Sequence, residues 1–139
     1  MVGPTLTKIR ETYGDKVRIV FKDFPLPNHA QAPKAHEAAH CAGEQGKYWE
    51  MHDRIFAYQS AMQVVNLQQH AVALTLDATK FGQCLDSGKF ASAIAADMKI
   101  GEQLGVNSTP TMYINGRAAI GAQPFEYFKS VIDEELARK

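Results

Sequence analysis

Leu6, Ile9 and Tyr13 recur at i, i+3 and i+7, behind Pro4 and ahead of Gly14. That period, with a proline suited to a first helical turn and a glycine suited to a C-terminal cap, predicts a short amphipathic helix over residues 4–13. From Val17 the period shortens to two. Val17, Ile19 and Phe21 fall on one face of the β-branched and aromatic run Val17–Asp23, which predicts a strand. Pro25, Pro27 and Pro33 then interrupt regular structure. Ala, Glu, Gln, Met and Leu dominate from 34 to 104, a helical block of four or five helices punctuated by Gly46, the Val64-Val65-Asn66 region, Asp77 and Gly88. After Gly105, Thr111–Ile114 and Arg117–Ile120 flank Asn115-Gly116, a two-residue hairpin signal. Pro124 opens a last helix with Phe125, Phe128, Val131 or Ile132, and Leu136 on one stripe. The order helix, strand, helical block, hairpin, helix contains no repeat. It reads as one α/β domain over residues 1–139 with a helical insertion at 30–104.

Composition narrows the class. The chain has 139 residues, 45% hydrophobic and 22% charged, with Lys+Arg 15 balancing Asp+Glu 15. A neutral chain without a Lys/Arg-rich stretch lacks the electrostatic footprint of nucleic-acid or anionic-membrane binding, so neither partner is expected. No stretch approaches eighteen apolar residues, and the first residues lack a basic region followed by an apolar one. The expectation is a chain that neither spans a membrane nor carries its own signal peptide.

Two histidines stand out. His36-Glu37-Ala38-Ala39-His40 matches H-E-x-x-H, which on a helix puts both imidazoles on one face beside a glutamate able to deprotonate a metal-bound water. A catalytic zinc needs a third protein ligand, and the position where the extended motif would supply it is Gly46. Glu50, His52 or Asp53 would have to substitute at unusual spacings. The expectation is therefore no metal, with His36 and His40 as surface residues. His52, between Trp49 and Phe56 at helical spacing, reads as the edge of the helical core. His29 and His70 show no partner in the pattern.

Cys41 and Cys84 are too far apart to form a Cys-x-x-Cys. Two readings of the pair stand at this point: buried thiols packing as small hydrophobes, or a disulfide.

Larger segments carry a resemblance. They are Tyr13-Gly14-Asp15-Lys16 leading into Val17–Phe24 and Pro25-Leu26; Cys41-Ala42-Gly43-Glu44-Gln45-Gly46-Lys47-Tyr48-Trp49 through His52; Cys84-Leu85-Asp86-Ser87-Gly88; and Gly105-Val106-Asn107-Ser108-Thr109-Pro110-Thr111. Nearly end to end, the chain resembles the DsbA family of thiol:disulfide oxidoreductases, thioredoxin-like domains interrupted by a helical subdomain. The resemblance implies a cis peptide at Thr109-Pro110 and a substrate loop of Ser108, Thr109 and Pro110 pairing with an extended substrate strand. It also implies a structural disulfide between Cys41 and Cys84, no cofactor, unfolded or exported proteins as substrates, and a periplasmic or extracellular setting. The family's redox Cys-x-x-Cys would align ahead of Met1, together with the first strands, including a central one. Exchange proceeds through a thiolate, so the chain alone is expected to be redox-inactive. The alternative from another class is a non-catalytic peptide-binding or chaperone-like module, and a remote third is a zinc hydrolase using His36, Glu37 and His40. The missing middle strand would leave a gap, closed by direct pairing of residues 17–23 with 111–114, by strand exchange in a homo-oligomer, or by another chain.

Overall fold

The computed structural model describes residues 2–138, which divide into two compact units. One is assembled from the residues up to Phe21 and those from Glu102 onward; the other is Lys22–Gly101.

The first unit contains α1 (Gly3–Tyr13), a short 3-10 turn (Gly14–Lys16), strands β1 (Thr111–Ile114) and β2 (Arg117–Ile120), and α7 (Phe125–Ala137). Proline in the first turn and Gly14 at φ 53° bracket α1, as the sequence pattern predicts. The hairpin pairs Thr111 with Ile120 through Ile114 with Arg117 in antiparallel register. Asn115 and Gly116 both take positive φ, 48° and 88°, the conformation a two-residue hairpin loop of matching twist demands. Ile9 of α1, Ala119 of β2, and Phe128 and Ile132 of α7 form the core, with Leu6, Tyr13, Val17, Ile19, Met112 and Ile114 packed against it. The Tyr13 hydroxyl donates to Asp133 Oδ1 at 2.6 Å, tying α1 to α7. Leu136 departs from the predicted stripe: it is 45% exposed, in a last turn where Glu135 is instead held by Arg117 and Arg138.

The predicted strand at 17–23 is corrected. Its alternation is present, with Val17, Ile19 and Phe21 half-buried and Arg18, Val20 and Lys22 exposed, but among the described residues it pairs with no strand. A period-2 pattern dictates which side chains face the core; a ladder also needs a neighbouring backbone, and here the sheet holds β1 and β2 only.

The second unit is helical: α2 (Ala32–Gly43), α3 (Tyr48–Ala57), α4 (Val64–Ala73), α5 (Ala78–Ser87) and most of α6 (Ala91–Gln103). Val64-Val65-Asn66 marks a boundary between helices, as read. It opens α4, where Gln63 and Asn66 form a reciprocal capping box. α2 presents Ala35, Ala38, Ala39 and Ala42 inward, small side chains that let α3 and α5 approach closely, while Met51, Leu67, Phe81 and Leu85 fill the fully buried centre. Asp77 caps α5 by accepting from the Lys80 N–H at 3.0 Å. Gly88 ends α5 in the left-handed region at φ 65°. Gly88→Ala is expected to cost about 1 kcal/mol, because a Cβ strains that conformation. Its added Cβ meets only the Glu37 carboxylate at 3.8 Å, so urea denaturation should read the backbone penalty alone. Among the described residues no helix is long and apolar enough to cross a membrane.

Candidate functional site

Ser108, Thr109 and Pro110 lead directly into β1, and the Thr109–Pro110 peptide is cis. Thr111 Oγ1 donates to the Ser108 carbonyl at 2.7 Å, and the Pro110 carbonyl accepts from the Gly121 N–H at 2.8 Å, extending the hairpin by one pair. In a two-residue hairpin the pair flanking the loop exchanges both hydrogen bonds, and bonded and non-bonded pairs then alternate. Ile114, Met112 and Pro110 therefore face β2. Tyr113, Thr111 and Thr109 turn their backbone N–H and C=O groups to the opposite edge, where β1 has no neighbour among the described residues. Among the described residues Thr109 makes no backbone–backbone hydrogen bond there either. The Tyr113 hydroxyl donates to the Leu104 carbonyl at 3.2 Å, fixing one end of that open edge.

In the helical unit the H-E-x-x-H residues have partners that the sequence pattern did not show. Asp23 is 2% exposed and its carboxylate bridges both histidines, Oδ1 to His36 Nδ1 and Oδ2 to His40 Nε2, each at 2.6 Å. The two imidazoles are thus half-buried rather than surface residues. Burial alone would raise the Asp23 carboxyl, but the hydrogen bonds from His36 and His40, with their positive charge, outweigh it and hold it below its ordinary value. An ionised carboxylate only accepts, so the facing ring nitrogens carry the protons. The Asp23 N–H donates to Asp97 Oδ2 at 3.0 Å, and Lys22 lies 3.7 Å from Asp97 Oδ1. His40 stacks on Phe90 and sits beside Tyr48. The Tyr48 phenol is pushed up by burial, then by the charges of Asp23 and Asp97.

Glu37, the base of a zinc reading, is buried against Lys34 Nζ at 3.4 Å, and that ammonium also donates to the Leu85 carbonyl at 2.7 Å. Among the described residues no three His, Cys, Asp or Glu side chains are disposed to hold a metal ion. What the cluster does chemically is fasten the segment that follows Phe21 to α2 and α6. A signal for it existed: Asp23 continues the inward phase of Val17, Ile19 and Phe21, and an inward carboxylate requires donors.

Cys41 of α2 and Cys84 of α5 are joined by a disulfide, with Cα atoms 5.8 Å apart, and no free cysteine remains. His70, which showed no partner in the sequence, is buried: its Nδ1 accepts from Arg54 Nε at 3.0 Å, so its Nε2–H donates to the Ala61 carbonyl at 2.9 Å. His52 lies against Trp49 and Phe56 at 5.2 and 4.7 Å between ring centroids, at the edge of the helical core. His29 is exposed.

Comparison with known proteins adds lineage. Over 138 residues the chain is 35% identical to the Na(+)/H(+) antiporter NhaA 3 of Salinispora tropica, covering 97% of this chain and 21% of that protein. The Na(+)/H(+) antiporter NhaA 1 of Salinispora arenicola is 34% identical with the same coverage. The Na(+)/H(+) antiporter NhaA of Herminiimonas arsenicoxydans is 30% identical over 125 residues, 90% of this chain and 20% of that protein. The chain thus spans about a fifth of the length of these curated relatives. No solved structure matches it significantly. The family model described as Thioredoxin matches residues 3–134, and with a match over that length, an α/β architecture and a loop of Thr109-Pro110 leading into the hairpin, the chain belongs to the thioredoxin family.

Proposed function

We propose that this thioredoxin-family domain serves disulfide chemistry of the DsbA type by holding an extended, unfolded or exported polypeptide along the edge Thr109, Thr111 and Tyr113. The observation that carries the reading is that open edge: three alternate residues, beginning in the cis-proline loop, offer backbone donors and acceptors on one side. Backbone pairing gives affinity with little sequence preference, which suits unfolded substrates. The two cysteines of the 139 residues are bonded to each other, so this chain holds no free thiol with which to attack a bound polypeptide, and exchange on that substrate would use thiols from elsewhere. A disulfide in the helical unit supports an oxidising setting, periplasmic or extracellular. That the similar proteins are named as antiporters supports a place for the domain beside a membrane transporter. A second copy is another occupant the edge admits, as a homo-oligomer.

The test uses a fluorescent, cysteine-free extended peptide and its N-methylated analogues, read by anisotropy. Saturable binding should weaken at least tenfold when alternate amides facing the domain are methylated, and methylation of the intervening amides should leave it unchanged. Equal loss from either set, or no binding at all, would count against edge pairing. Native mass spectrometry of the free protein distinguishes a self-paired edge from an open one.

A further inference from the structure

The Cys41–Cys84 bond belongs to the buried core of its unit and borders the surface on one side. Both cysteines line a cleft of about 420 Å³ whose walls include Glu44, Lys80, Gln83 and Lys89. The two sulfur-bearing residues differ in access: Cys84 is 7% exposed and Cys41 1%. The cleft also carries a sign. Lys89 pairs with Glu44, whereas Lys80 makes no ion pair among the described residues, so the lining holds one net positive charge.

We propose that Cys84 is a thiol-exchange site, taking up a small anionic thiol as a mixed disulfide and releasing Cys41. The incoming thiolate attacks Cys84 Sγ and forms a new S–S bond. The Cys41–Cys84 bond breaks, its electron pair leaves on Cys41 Sγ, and that sulfur takes a proton from water. A second molecule of the same thiol attacks the bound one, giving the small-molecule disulfide and a free Cys84 thiol. The protein disulfide is then reduced and two small thiols are oxidised. Lys80 raises the local concentration of a carboxylate-bearing thiolate and stabilises charge as it enters. The consequence is regulatory. The bond closes a loop that contains all of α3 and α4, so the thiol balance outside sets how firmly α2 and α5 clasp them. This reading is independent of the peptide-binding edge, which lies in the other unit.

Glutathione is the probe. The full chain, in buffer without denaturant, should form one glutathione adduct, mapped by peptide mass spectrometry to Cys84. Lys80→Glu should slow the reaction several-fold with glutathione and leave the rate with uncharged 2-mercaptoethanol unchanged, and high salt should erase the wild-type advantage. Lys80→Gln, with an intermediate effect, serves if the charge reversal perturbs folding. An adduct on Cys41, reaction only at urea concentrations that unfold the chain, or equal slowing of charged and uncharged thiols would each overturn the proposal.

Discussion

Replacing Cys41 and Cys84 together by alanine is expected to lower stability by about 4 kcal/mol on the chain-entropy account of loop closure, for cysteines separated by 43 residues. The melting temperature should fall by on the order of 10 °C. That is a large share of what holds a small domain, typically about 5–15 kcal/mol. The reason lies in the seam the bond crosses. α2 contributes Ala35, Ala38, Ala39 and Ala42 to the core, side chains that permit close approach but bury little apolar area each. Phe81 and Leu85 of α5 supply the bulk from the other side. With the crosslink gone, the loop carrying α3 and α4 regains its unfolded-state freedom, and the alanine face offers little to offset it. Calorimetry of the double variant beside the oxidised parent checks this. A shift under about 3 °C would show that packing alone holds the helices. Hydrogen exchange should place the loss in Lys22–Gly101, leaving the amides of β1 and β2 as protected as before.

Legibility of this fold in its sequence followed the range of the interactions. Asn115-Gly116 specifies its hairpin through the φ values of two residues, and the pattern at Leu6, Ile9 and Tyr13 specifies α1 through its own period, so both were readable one segment at a time. Gly88, read as punctuation, ends α5 for the same local reason. The strand at 17–23 failed because pairing is a property of two segments: alternation reported its buried face correctly and was silent about a partner. His70 was missed because Arg54 reaches it from another helix, sixteen residues away. The histidine motif was half legible. Spacing put His36 and His40 on one helical face, but their common partner arrives from a segment 13 and 17 residues earlier, whose alternation turns Asp23 inward without specifying what it meets. Thr109, Thr111 and Tyr113 were separable only once the register of the hairpin was known, since a shift of one residue would have turned the alternate set outward.

The Asp23 cluster carries the second large effect. Asp23→Ala is expected to destabilise the protein by about 3 kcal/mol, because it removes two charge-assisted hydrogen bonds and leaves two half-buried imidazole N–H groups facing an apolar methyl. Asp23→Asn keeps the shape and one acceptor, so it should cost less. Acid dependence follows from the direction of the shift. The folded carboxyl titrates below its unfolded value, ordinarily about 3.9, so its contribution is complete above that pH and disappears as pH falls through the lower folded value. Urea denaturation at descending pH should give a gap between parent and Asp23→Asn that is still present at about pH 5, then curves that converge below pH 4 as the parent loses what the variant never had. A gap that closes already between pH 7 and 5 would mean that another group governs the cluster. A gap unchanged down to the lowest pH reached would mean that shape rather than charge holds His36 and His40 in place. Because Asp23 also presents its N–H to Asp97, the Asp23→Ala variant retains that backbone contact. Loss of exchange protection should therefore concentrate on α2 around His36 and His40 and spare α6, a distribution that general unfolding would not produce.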